Sequence, residues 1–239
     1  MVIVNPTPGR LGNQMFSYCF ARIIAQEFNY ALINNLPLLQ ELNLTSIDGN
    51  ICRDPQEIIY GYDYKDDLLE NILKNKKDRM FILEGYFQKY IYYKNYKQEI
   101  RTWFKELNPN KEQIEENTIG IHIRKDDIPR EVQKCDLPDE YFIDILKIEK
   151  PEKIIITSDE PTHSTIKKIQ NEFKNVEIYN GSTIDTLKKF VCFKKLILSF
   201  GTYSWWMGFL SNASKIYMKD KIDNDIDLVI RDDKNYIIV

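Results

Sequence analysis

"KIIITSDEPTHSTIKKIQNEFKNVEIYN", residues 153–180, holds a strand, a helix and a second strand in one short stretch. Lys153-Ile154-Ile155-Ile156-Thr157 is an unbroken apolar run of the kind buried on both faces of a parallel sheet, and Ser158-Asp159-Glu160-Pro161 stops it. Thr162 to Phe173 has helical spacing, Val176 to Tyr179 is extended, and Asn180-Gly181 is a turn. A strand, a crossover helix and a second apolar strand define a βαβ unit, so the sheet is expected to be parallel with right-handed connections.

The pattern continues on both sides. Upstream, Ile119 to Arg124 reads as a strand and Asp139 to Ile148 as a helix. Downstream come a helix over Thr183 to Phe193, the run Leu196-Ile197-Leu198, a helix from Thr202 to Leu210, and Ile216-Tyr217-Met218. The first half is similar in kind: Val2-Ile3-Val4 as a strand, Asn13 to Phe28 as a helix capped by Asn13, strands at Tyr30 to Ile33 and Met80 to Leu83, and a helix at Tyr93 to Phe104. In the first helix, Met15, Phe16, Phe20, Ile23 and Ile24 form the expected buried face. Polar Pro109 to Asn117 reads as a linker. The chain is therefore expected to be an α/β protein of two units, 1–114 and 115–239.

Composition narrows the function. The 239 residues suffice for two small cores, and the 43% apolar and 29% charged shares are those of a globular protein. A net charge of -3 supplies no basic field for nucleic acid, and no apolar stretch is long enough to span a membrane. Met1 to Pro6 lacks a basic n-region, so no secretion signal is expected. Cys19, Cys52, Cys135 and Cys192 are scattered without metal-ligand spacing and read as reduced thiols, hence a cytoplasmic chain. The phosphate-binding G-x-x-x-x-G-K-[ST] and dinucleotide G-x-G-x-x-G patterns are missing. The D-x-D matches within Asp223 to Asp227 read as solvated surface, so no metal is expected.

In open α/β sheets ligands sit beyond the carboxyl ends of the strands. The polar residues there are Arg124 to Asp127, Ser158-Asp159, Asn180-Gly181 and Ser199 to Thr202. Alternation puts His122 and Arg124 on one face of their strand and Ile119, Ile121 and Ile123 on the other. Imidazole and guanidinium together suit a phosphate; equally, Arg124 fits a structural clamp on Asp126 or Asp127. Gly201-Thr202-Tyr203-Ser204-Trp205-Trp206 follows a strand and opens a helix, which makes either an anion site or an ordinary cap over buried indoles. Asp159 fits a sugar or base hydroxyl, or a helix cap. His163 reads as a surface or capping residue. The tyrosines between Tyr86 and Tyr96 fit a sugar platform, or more simply core and surface.

Four blocks, in order, give the chain a resemblance to glycosyltransferase family 11, the α-1,2-fucosyltransferases. "GRLGNQMFSYCFA" (9–21) resembles the family's glycine-asparagine-glutamine loop, and "LEGYFQKYIYY" (83–93) its Gly-Tyr-x-Gln block. "IGIHIRKDD" (119–127) is similar to its H-x-R-R-x-D strand, and "LKKFVCFKKLILSFGTYSWWMGFL" (187–210) to its closing Ser-Trp-Trp block. "ITSDE" (156–160) stands where the family has Phe-Ser-Asp-Asp. Lys125 replaces the family's second arginine, Asp126 a glycine, Gly201 a serine and Met207 a glycine.

The resemblance implies a GT-B-like pair of Rossmann units facing a cleft, GDP-fucose as donor, no required metal, and inverting transfer to a sugar hydroxyl, a 2-OH of a galactose-like residue. It places His122 and Arg124 on the nucleotide and β-phosphate, with Lys125 assisting, Ser158 and Asp159 near the guanosine, and Thr202, Tyr203 and Ser204 near the pyrophosphate. Gly12, Asn13 and Gln14 would line the cleft from the acceptor-side unit, with Gly12 giving backbone room. Arg124, His122 and Asp127 are the catalytic candidates, the last two as the base, with Asp127 alternatively only orienting Arg124. The implied partners are a nucleotide sugar and a glycan acceptor. Two alternatives stand beside this reading: a transferase of the same fold using another nucleotide sugar, and a non-catalytic nucleotide- or glycan-binding descendant.

Overall fold

The computed structural model describes residues 1–6, 9–62, 65–75, 77–107, 116–125, 137–220 and 228–239. They form two α/β units, one within Met1–Glu106 and Asn224–Leu228 and the other within Leu107–Asp223 and Val229–Val239. Residues 109–115 of the expected linker, Cys135, and Asp223 to Asp227 lie outside the described residues, as do Asp126 and Asp127.

In the first unit β1 (Val2–Val4), β2 (Leu32–Asn34), β3 (Gln56–Gly61) and β4 (Met80–Gly85) form a sheet in the order β2-β1-β4-β3. Every pairing is parallel. Helix α1 (Leu11–Phe28) follows β1 and ends on Asn29, whose left-handed backbone closes the last carbonyls. The expected one-sided apolar face is too narrow a description: Leu11, Gly12 and nearly every residue from Gln14 to Ala25 are buried. The block after β4 wraps the helix. Phe20 stacks on Phe87 with centroids 4.2 Å apart, and Phe16 meets the ring of Tyr93 at 5.3 Å. The Tyr93 hydroxyl donates to the Phe87 carbonyl at 2.6 Å. Tyr92 and Tyr93 are therefore core.

Strand β3 and helix α2 (Leu68–Lys74) are not legible in the sequence pattern. β3 is an edge strand with one buried face, and its polar ends dilute the apolar signal. The helix expected over Tyr93 to Phe104 is reduced to α3 (Lys97–Trp103), preceded by 3-10 turns at Tyr90–Tyr92 and Lys94–Tyr96.

The second unit contains β5 (Thr118–Ile123), α4 (Asp139–Glu149), β6 (Lys153–Ser158), α5 (Ser164–Glu172), β7 (Val176–Ile178), α6 (Thr183–Phe190), β8 (Lys195–Leu198), α7 (Thr202–Leu210), β9 (Lys215–Met218) and β10 (Tyr236–Ile238). Its sheet runs β10-β9-β8-β5-β6-β7, parallel throughout. Counted from β5 as the first strand, this is the 3-2-1-4-5-6 order of doubly wound nucleotide-binding sheets. Ile119, Ile121 and Ile123 join a core with Phe142, Leu146, Ile154, Ile166 and Ile169, leaving His122 on the opposite face as alternation requires. Ser182 caps α6 and His163 caps α5, its Nδ1 accepting from Thr165 N–H at 3.2 Å. The fold is α/β with two parallel sheets.

Candidate functional site

A strand order that reverses opens a crevice at the carboxyl ends of the two strands flanking the reversal. In the second unit those strands are β5 and β8, paired so that His122 lies level with Leu198. Beyond β5 come Arg124 and Lys125; beyond β8 come Ser199, Gly201 and the start of α7. The pairing of β5 with β8 brings these groups to one place although about eighty residues of chain separate them.

Arg124 is half-buried and its guanidinium rests on the β8–α7 turn. A Cβ at Gly201 would lie 2.7 Å from its Nη1. Gly201 has φ 122 and ψ 159, a region that only glycine adopts freely, so no side chain intervenes between the guanidinium and the helix start. Gly201 occupies the cap position of α7 and, as a glycine, brings no side chain of its own to it. The first turn of the helix presents its positive dipole end there.

Beneath this turn lies a polar cluster. Nδ1 of His122 is 2.9 Å from the hydroxyl of Ser199 and in contact with the hydroxyl of Ser204; the two hydroxyls are 3.1 Å apart. Only 7% of His122, 8% of Ser199 and 1% of Ser204 are exposed. The Tyr203 ring stands edge-on to the imidazole at 5.5 Å, and its hydroxyl donates to the Thr183 carbonyl. Burial raises the Tyr203 phenol well above its ordinary value, so it stays protonated.

Lys125 and Asp159 meet directly. The Lys125 N–H donates to Asp159 Oδ1 at 2.9 Å, and the Lys125 ammonium donates to the Leu137 carbonyl at 2.8 Å. Asp159 therefore ties β6 to β5 and does not cap the following helix, a role His163 fills. Ser158 Oγ accepts from the Glu160 N–H at 3.0 Å. The alternative pairing of Arg124 with Asp126 or Asp127, like the catalytic candidate Asp127 itself, falls outside the described residues.

The first unit has its own reversal, between β1 and β4. Here the glycine-asparagine-glutamine stretch differs from its expected arrangement. Helix α1 begins at Leu11 with the backbone of Arg10 as its cap, so Asn13 is inside the first turn and is not the cap. Gly12 is a buried helical residue, and the conformational demand falls on Gly9, at φ 135. A Cβ there would sit 2.3 Å from Asn13 Nδ2, so Gly9 is what lets the loop close over the asparagine.

Asn13 Oδ1 accepts from Gln88 Nε2 at 3.0 Å, and buried Gln14 accepts from the Leu38 N–H at 3.0 Å. Ser17 Oγ donates to the Gly85 carbonyl at 2.8 Å. Gln88 reaches Asn13 from a turn in which Phe87 is held at φ 52, an unusual backbone for an aromatic residue. Ser199 and Gln88 thus join the candidate residues without having been assigned a role from sequence. Their one signal was position: Ser199 directly follows a strand, and Gln88 lies in the Gly-Tyr-x-Gln block.

Among the described residues no group of three or more His, Cys, Asp or Glu side chains is placed to hold a metal ion, and no helix is long and apolar enough to cross a membrane. Cys19, Cys52 and Cys192 form no disulfide among the described residues, and burial pushes the Cys19 thiol well up.

The family model for glycosyl transferase family 11 matches residues 3–237. No curated protein matches the chain. Among solved structures, an arginine-to-lysine mutant of Arabidopsis thaliana FUT1 in complex with GDP is similar in fold, with a TM-score of 0.51 and 10% identity. The likeness covers 90% of this chain and 68% of that one, and the shared fold is GT-B-like.

Proposed function

The chain belongs to glycosyl transferase family 11, and from that premise we propose that it moves L-fucose from GDP-fucose to a sugar hydroxyl. The observation that supports this reading is Arg124 lying against the glycine-capped start of α7 at the β5–β8 reversal. A guanidinium beside a helix N-terminus is a site for a diphosphate, the leaving group of a nucleotide sugar. The structural neighbour solved with GDP points the same way.

The proposed reaction is a single displacement. The acceptor oxygen attacks the anomeric carbon, the bond to the β-phosphate oxygen breaks, configuration inverts, and the hydroxyl proton passes to a base. Charge developing on GDP is met by Arg124, by Lys125, and by the N–H groups opening α7 at Thr202 and Tyr203, so the step requires no metal. Ser158 and Asp159 are proposed on the guanosine side. Asp127 and His122 are the side chains considered for the base. The proposed linkage is α-1,2, to a galactose-like residue.

A donor-by-acceptor screen read by mass spectrometry tests this. GDP-fucose should support transfer, and other GDP- and UDP-sugars should not. Arg124→Ala should lower kcat about 10²–10³-fold, the cost of removing one donor aimed at developing negative charge. Turnover of that variant at the wild-type rate would overturn the role of Arg124.

A further inference from the structure

We propose that Ser199 and Ser204 are positioning residues that hold His122 in the tautomer carrying its proton on Nε2. The protons available to one ring nitrogen and two buried hydroxyls decide the tautomer. Three close contacts join Nδ1 of His122 and the hydroxyl oxygens of Ser199 and Ser204. Neither serine side chain has another hydrogen-bond partner among the described residues.

Suppose Nδ1 carries a proton. It donates into the triangle, one hydroxyl donates to the other, and the remaining hydroxyl proton has no acceptor. A buried donor left in that state bears a desolvation penalty. With Nδ1 bare, Ser199 donates to Ser204 and Ser204 donates to Nδ1, and every proton is used. The backbone reinforces the arrangement, because the Ser199 N–H donates to the His122 carbonyl at 3.1 Å.

The consequence rests on the transferase reading above. A ring with its proton on Nε2 is a hydrogen-bond donor on that side, suited to an anionic oxygen of the leaving diphosphate. It has no lone pair there to receive the proton of the acceptor hydroxyl. His122 is therefore assigned as a donor and removed from the candidates for the base. Ser204 acts through His122, not on the anion directly.

The chain has two histidines, His122 and His163, so the rings of the ¹⁵N-labelled full-length protein can be read by long-range ¹H–¹⁵N correlation. His163→Gln assigns them. In the wild type, His122 should show a protonated Nε2 and a bare Nδ1. Either serine alone can reach Nδ1, so Ser199→Ala and Ser204→Ala should each keep this pattern. Ser199→Ala/Ser204→Ala should lose it, while unchanged His163 signals report an intact fold. Restoring one hydroxyl as threonine, in Ser199→Ala/Ser204→Thr, should recover it.

With the pattern lost, kcat should fall about 10–100-fold and recover with it, as when other groups that fix a histidine's tautomer are removed. The KM for acceptor should change little. A proton on Nδ1 in the wild type, or an unchanged pattern in the double variant, overturns the relay. An unchanged kcat in a double variant whose pattern is lost overturns the positioning role. The spectrum is recorded without substrate, so a wild-type chain that transfers no fucose would overturn the transferase reading and leave the relay to the spectrum alone.

Discussion

Replacing Gly201 by alanine tests the link between backbone conformation and Arg124. The residue sits at φ 122 and ψ 159, where a side chain costs about 1–3 kcal/mol. For a chain of this length that lowers Tm by about 2–12 °C. The new methyl would also lie 2.7 Å from Arg124 Nη1. Ordinary contact is about 3.5 Å or more, so the guanidinium must withdraw by roughly 0.8 Å. A misplacement of about 1 Å at a group aimed at the reaction centre can cost about 10²-fold, so kcat should fall about 10–100-fold.

Thermal unfolding and GDP release from GDP-fucose measure the two effects. The decisive experiment is a double-mutant cycle. If Gly201→Ala acts on turnover through Arg124, it should lower Tm in an Arg124→Ala background and leave the residual kcat there unchanged. Multiplicative losses in kcat, or wild-type kcat beside a lowered Tm, would refute the reasoning.

Two further outcomes concern the frame around the site. Glu149, at the end of α4, has a side chain only 3% exposed and receives Lys195 at 2.8 Å, Lys215 at 2.7 Å and the Tyr217 hydroxyl at 2.5 Å. Burial alone would raise its carboxyl; hydrogen bonds from Lys195, Lys215 and Tyr217 outweigh burial and bring it from 4.5 down to about 2. A lowered carboxyl stabilises above its unfolded value, and the contribution, about 3 kcal/mol, is lost as pH falls from about 4.5 to about 2. Urea unfolding at pH 6 and pH 3 should show about 2 kcal/mol of that loss in the wild type and a flatter profile in Glu149→Gln; equal pH dependence in both would be inconsistent with it. Gln88→Ala removes the amide donated to Asn13 and should cost about 1–3 kcal/mol, with faster amide exchange in the first turn of α1. Unchanged stability and exchange would show that the Asn13–Gln88 contact does not hold that turn.

Local pattern carried the element types. The isoleucine run at 153–157 and the helical spacing at 162–173 appear as β6 and α5 within a residue or two, because side-chain period and capping depend on near neighbours. The same locality explains what was illegible. β3 is an edge strand with a single buried face, and β10 is three residues long, so neither makes a repeating signal. An amide before an apolar run is the usual sign of a helix cap, and Asn13 carries that sign. The chain instead starts its helix two residues earlier and uses the amide to receive Gln88.

The sequence by itself determined that this chain alternates short parallel strands with helices, and which polar residues fall at the strand ends. Only the tertiary structure decided which of those ends are neighbours. His122 meets Ser199 and Ser204 across 77 and 82 residues of chain, and Asn13 meets Gln88 across 75. Each meeting depends on β8 lying beside β5, or β4 beside β1, and no short-range pattern encodes strand order. That order is set by which apolar faces cover one another best over the whole unit, a sum of many weak burial terms that no single stretch contains.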